Sequence, residues 1–135
     1  MRGKPSEHSE QVALFNWANA CKSQFPELGM MMAIPNGGRR DKITGARLKA
    51  EGVKAGVPDI FLAVPCGVYS GLFIEMKAGK NKPTPEQDQW AGRLARYGYL
   101  VVTCYGWWEA KVTIENYLDM LTSRALVWSG VRPCY

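Results

Sequence analysis

Gly56-Val57-Pro58-Asp59 leads into Ile60-Phe61-Leu62-Ala63-Val64, and downstream Leu72-Phe73-Ile74 leads into Glu75-Met76-Lys77. Both apolar runs have strand character. Pro65 to Gly71 between them, bounded by Pro and Gly, reads as a hairpin loop. Side chains alternate faces along a strand. Phe73, Glu75 and Lys77 therefore share one face, while Leu72, Ile74 and Met76 share the other. In the first strand Asp59, Phe61 and Ala63 lie together, opposite Ile60, Leu62 and Val64. A loop centred on Val68 pairs Phe61 with Glu75 and Asp59 with Lys77. The apolar faces then coincide and the charges gather on the opposite face. A one-residue slip would put charge on the core face, so patterning selects against it. In this register Asp59 is diagonal to Glu75, and inward-leaning carboxylates can close that gap around an ion. Asp, Glu and Lys are rarely buried unless paired, so their presence here needs a chemical reason.

The remaining pieces extend this centre. Ser6 or Ser9 can cap a first helix over about residues 9 to 24, with Glu10 in its first turn. Val12, Phe15, Trp17-Ala18 and Cys21 or Lys22 form its stripe. Pro26 ends it, and a short buried strand follows over 28–34. The consecutive Met30, Met31 and Met32 read as packing rather than as a soft metal site. Pro35-Asn36-Gly37-Gly38 forms a turn that delivers Arg39 and Arg40 into a helix over 40–52. Ile43, Ala46 or Arg47, and Ala50 are expected on that helix's inner face, with Gly52 as its C-cap.

Ala78 to Pro83 is a basic loop carrying Lys80 and Lys82. Thr84-Pro85-Glu86-Gln87 then opens a helix with a capping box, which by itself accounts for Gln87. Trp90, Leu94 and Tyr97 are expected in the core, and Gly98 stops the helix. Tyr99 to Tyr105 is a run of β-formers and is expected to be an interior strand. A last helix over 107–122 points Trp108, Val112, Tyr117 or Leu118, and Leu121 inward. The tail from Ser123 to Tyr135 carries Leu126, Val127, Trp128 and Val131, which either dock on their own core or meet a second subunit. Helix-laced strands in this order predict an α/β fold, a mixed central sheet of about four strands flanked by helices.

Composition bounds the rest. The 135 residues suit one domain, residues 1–135, with a core over about 6–121 and a tail over 122–135. With 47% hydrophobic and 21% charged residues the chain is an ordinary globular one rather than a disordered one. No apolar run reaches a membrane span, and the first residues carry no secretory signal. Cys21, Cys66, Cys104 and Cys134 lack a C-x-x-C, and His8 is the single histidine, so zinc is not expected. A reduced, cytoplasmic protein follows. Residues 39–54 hold Arg39, Arg40, Lys42, Arg47, Lys49 and Lys54 against Asp41 and Glu51. That is +4 of the chain's net +5, a clustered footprint for phosphate.

Pro58-Asp59 followed by a strand ending Glu75-x-Lys77 resembles the signature of the PD-(D/E)XK nuclease superfamily. More of the chain resembles one branch, the VRR-NUC domain (virus-type replication-repair nuclease). The matching pieces are Ser9-Glu10-Gln11, Ile34 to Arg40, Gly52 to Asp59, Glu75-Met76-Lys77 and Thr84 to Gln87, in the family's order. The resemblance implies a restriction-endonuclease-like core and a nuclease of DNA replication, repair or recombination. It implies a phage-encoded or bacterial intracellular protein that acts on branched duplexes such as four-way junctions. A homodimer suits the two-fold symmetry of a junction.

On this reading Asp59, Glu75 and the Met76 carbonyl hold Mg²⁺ or Mn²⁺, because hard oxygen ligands suit those ions. Lys77 orients or deprotonates the attacking water. By the family match Glu10 extends the site toward a second ion, and Gln87 positions Lys77 or the water. Arg39, Arg40, Lys42, Arg47, Lys80 and Lys82 are the expected DNA contacts. The alternatives are a binding module without catalysis, which would be expected to lose Glu75 or Lys77, and an accessory nuclease on linear or single-stranded DNA.

Overall fold

Ser6 caps the first helix. Its hydroxyl accepts the Ser9 amide at 3.0 Å, and the Ser9 hydroxyl accepts the Ser6 amide at 3.0 Å. That closes a capping box and launches α1, Glu7–Cys21. The computed structural model describes residues 6–35 and 42–127. After α1, Pro26 imposes a 3-10 turn over Pro26–Met30, which leads into β1, Met31–Ala33. Then come α2 (Lys42–Ala50), β2 (Ile60–Leu62), β3 (Leu72–Lys77), α3 (Pro85–Arg96), β4 (Leu100–Tyr105) and α4 (Trp107–Val127).

The strands form one mixed sheet in the order β1-β2-β3-β4. The first two pairings are antiparallel, and β3–β4 is parallel with α3 as the crossover. This is the predicted α/β architecture. Among the described residues β4, however, lies at the sheet edge rather than inside. A run of β-formers announces a strand but not its place in the sheet, and β4 gains its cover from α3 and α4, which pack against it.

The hairpin register differs from the predicted one by two residues. Phe61 pairs with Phe73 and Ile60 with Ile74, not Phe61 with Glu75. The turn closes tightly at Gly67-Val68, where Cys66 and Tyr69 exchange both backbone hydrogen bonds. An extra residue is then absorbed between Leu62 and Cys66, where Pro65 cannot donate to a ladder. A two-residue shift preserves side-chain parity, so the apolar and charged faces stay as predicted.

The apolar face is the core. Ile60, Leu62, Leu72, Ile74 and Met76 are buried beneath Leu14 and Ala18 of α1 and Ala110, Ile114, Tyr117 and Leu118 of α4. Tyr117 also donates its hydroxyl to the Val64 carbonyl at 2.6 Å. The predicted stripes need correction on all four helices. On α1 the anchor is Leu14, with Val12 exposed. On α4 the buried row runs through Ala110, Ile114 and Tyr117, while Trp108 is 60% exposed under the Lys111 ammonium, 4.4 Å from its ring centroid. On α3 no residue is fully buried, and Tyr97 is 74% exposed.

Helix α2 departs furthest from expectation. It buries nothing, and Ile43 is 76% exposed. Nine residues with few apolar side chains and an internal glycine cannot make a core-facing stripe. Its predicted end holds: Gly52 has φ +99°, and the Gly52 and Val53 amides return to the carbonyls of Lys49 and Leu48. The predicted buried strand over 28–34 shortens to β1, with Met30 and Met32 exposed. Among the described residues Cys21, Cys66 and Cys104 form no disulfide.

Candidate active site

The site begins where β2 and β3 part. Their ladder stops at Ile60–Ile74. The Asp59 carbonyl turns to β1 and accepts the Ile34 amide at 2.7 Å. Its side chain turns the other way, and Oδ2 accepts the Met76 amide at 2.9 Å. A carboxylate thus replaces the backbone partner that β3 loses when β2 leaves. The N–H and C=O of one strand residue point to the same side, so the Met76 carbonyl also faces this opening.

Gly56 fixes the approach to Asp59. Its φ is +89°, and a Cβ there would meet the Glu86 backbone and Cβ at 3.0 Å. The loop before Asp59 is therefore laid against the first turn of α3. That turn is held by the predicted capping box: Gln87 Oε1 accepts the Thr84 amide at 2.8 Å, and Thr84 Oγ1 accepts the Gln87 amide at 3.2 Å. Gln87 thus stands at the helix start beside the Asp59 loop with its carbonyl oxygen already engaged.

Glu75 lies on the same face, 4% exposed, and its Oε1 is buried without a hydrogen-bond partner. Burial raises its carboxyl to about 9, with the hydrogen bond to Asp59 and the Asp59 charge adding to the rise and Lys77 opposing it. Without a cation, this pair holds a proton at neutral pH. An orphaned buried oxygen beside a second carboxylate fits a divalent cation, whose charge displaces that proton. Among the described residues no group of three or more His, Cys, Asp or Glu assembles. Two carboxylates offer hard oxygen donors without a closed protein cage, which suits a divalent cation that keeps other ligands.

Lys77 is 7% exposed at the end of β3. Its ammonium lies 3.8 Å from Glu7 Oε1. Beside it in register stands Tyr105, whose hydroxyl donates to the Asn81 carbonyl at 2.7 Å. That bond ties down the loop carrying Lys80 and Lys82, both exposed. Across the same sheet face, Phe61 stacks on Phe73 with centroids 4.3 Å apart, and Tyr99 meets both edge-on. These rings wall the charged end of the face with apolar surface.

Glu10 is engaged elsewhere. Its Oε2 accepts the Trp107 amide at 2.9 Å, capping the start of α4. Gly106, at φ +93°, makes that turn and donates its amide to the Lys77 carbonyl at 3.2 Å. Glu10 is thus next to the end of β3 but does not join Asp59 and Glu75 in a three-carboxylate group. Sequence reasoning missed Glu7. The signal was its position one helical turn before Glu10, just inside the Ser6 cap. Lys42 and Arg47 stand exposed on α2. Arg39 and Arg40 lie outside the described residues, as do Trp128 and Val131.

Among the described residues no helix is long and apolar enough to cross a membrane. The VRR-NUC domain model matches residues 5–108 of the chain. A solved structure described as a VRR_NUC domain protein is similar over 89% of this chain and 93% of its own, at 30% identity and a TM-score of 0.73. No curated protein matches.

Proposed function

The chain belongs to the VRR-NUC family, nucleases of the PD-(D/E)XK superfamily, and on that premise we propose a divalent-metal-dependent endonuclease that hydrolyses phosphodiesters in branched DNA. The observation that carries the metal reading is the buried, unpartnered Glu75 Oε1 beside the Asp59 carboxylate. Asp59, Glu75 and the Met76 carbonyl would hold Mg²⁺ or Mn²⁺ in the opening between β2 and β3. A cation bound there supplies Lewis-acid polarisation of the scissile phosphate.

The chain's own groups do the rest. Asp59 keeps the strands apart by occupying the Met76 amide, which leaves room for a phosphate. Lys77 Nζ donates to the attacking water and offsets charge gathering on the phosphate oxygens. The rings of Phe61, Phe73 and Tyr99 lower the local dielectric and so strengthen both effects. By the family match Glu10, through its other carboxylate oxygen, would help hold a second ion, and the Gln87 amide positions Lys77 or the water. Lys80 and Lys82 after β3, and Lys42 and Arg47 on exposed α2, contact phosphates together with Arg39 and Arg40. Two active sites in a homodimer suit a four-way junction.

A cleavage assay on linear duplex, single strand, flap and four-way junction, each with Mg²⁺, Mn²⁺ or EDTA, tests this. Metal-dependent cutting of the branched substrates is the expected result. Preference for linear or single-stranded DNA would replace the substrate class with that of an accessory nuclease. Binding without cutting would leave a nucleic-acid-binding module, and full activity in EDTA would remove the metal.

A further inference from the structure

We propose that Glu7 is the positioning residue for Lys77. The inference rests on the assignment of Lys77 to the reaction made above. Lys77 is a buried cation on a long flexible stem, and such a side chain holds one position only when a partner fixes it. The described residues provide one ion-pair partner, Glu7 Oε1 at 3.8 Å. Asp59 and Glu75 do not replace it, because both face the opening where a cation would compete for them.

The geometry of α1 makes this division possible. Glu7 and Glu10 are three residues apart, hence neighbours on one helical face. Glu10 is pinned to the Trp107 amide, which fixes where the first turn of α1 stands relative to the end of β3. The Ser6–Ser9 box then holds the helix start and places the Glu7 backbone. Two carboxylates from one helical turn thus take different tasks. One latches α1 to α4, and the other reaches the ammonium. Glu7 remains about half exposed, so it steers Lys77 from the solvent side.

The test compares Glu7→Gln, Glu7→Asp, Lys77→Ala and the Glu7→Gln/Lys77→Ala double variant. The readouts are single-turnover cleavage, Mn²⁺ affinity by calorimetry and, in metal-free protein labelled at lysine, the Lys77 ¹³Cε resonance. Glu7→Gln is expected to slow cleavage by about 10- to 100-fold, the scale of a misplaced catalytic group, with Mn²⁺ affinity unchanged. It should also shift the Lys77 resonance, and Glu7→Asp should recover most of the rate and the shift. In the Lys77→Ala background Glu7→Gln should cost nothing further. An additive loss in that background, an unmoved resonance or an unchanged Glu7→Gln rate would overturn the proposal. Loss of Mn²⁺ affinity in Glu7→Gln would overturn it in favour of a metal ligand. Lys77→Ala cutting at the wild-type rate would instead overturn the parent assignment of Lys77, and it is read from that variant alone.

Discussion

Burial and the Asp59 carboxylate hold the Glu75 proton up to about pH 9, against an ordinary glutamate value of 4.5. The folded chain therefore binds this proton more tightly than the unfolded one. Stability from it is complete below the unfolded value and is lost as pH rises through the folded value. Metal-free protein is expected to show a falling thermal midpoint from about pH 5 to about pH 9, measured relative to Glu75→Gln, in which this component is absent. Parallel profiles for the two proteins would contradict the buried-pair account. The shared face of Asp59, Glu75 and Lys77 was legible in the sequence, because strand alternation decides it and a two-residue register shift leaves it intact. The bond from Met76 to Asp59 was not legible. It depends on where β2 leaves β3, and no residue type marks that point. Glu10 was visible as a helix-start carboxylate, but its partner, the Trp107 amide, lies in an element far along the chain.

At the scale of elements, α2 and the Gly56 loop carry separate expectations. With no buried side chain, α2 has a surface role, and Lys42, Arg47 and Lys49 are its exposed basic groups, of which the first two are the expected DNA contacts. Replacing either by Ala should weaken DNA binding evenly across sequences and reduce the slope of log affinity against log salt by about one. An unchanged slope with altered sequence preference would mean base reading instead. Gly56→Ala should destabilise the fold by about 1–2 kcal/mol in chemical denaturation, from its left-handed backbone alone. Contact with the Glu86 backbone at 3.0 Å adds to that cost. An unchanged midpoint would show that the loop shifts freely off α3. Caps and stops were legible here: Thr84 with Gln87, Gly52 and Gly98 follow from local chemistry. Inward faces were less so, since Trp108, Val112 and Tyr97 are apolar enough to suggest burial but fall outside the rows that the sheet covers.

For the whole molecule, element order in the sequence already implied a mixed sheet of four strands between helices. The position of β4 at the edge was not implied, because strand order depends on packing between distant segments. The dimer belongs to this scale. Helix α4 continues to Val127, so the expected tail is shorter than the sequence suggested, and Trp128 and Val131 follow it. Sedimentation of the intact chain beside one ending at Val127 tests whether those residues join two copies. The intact chain should be a dimer and the shortened one should dissociate more readily. A monomeric intact chain that still cuts a four-way junction symmetrically would mean that two copies assemble on the DNA.

The proposed place for a metal, between Asp59, Glu75 and the Met76 carbonyl, underlies everything proposed for the chemistry. Anomalous scattering from crystals soaked in Mn²⁺ locates it without any assay of activity. A peak is expected in the opening between β2 and β3, within coordination distance of both carboxylates and that carbonyl, with its loss in Glu75→Gln. A peak elsewhere, or none at saturating Mn²⁺, would contradict it.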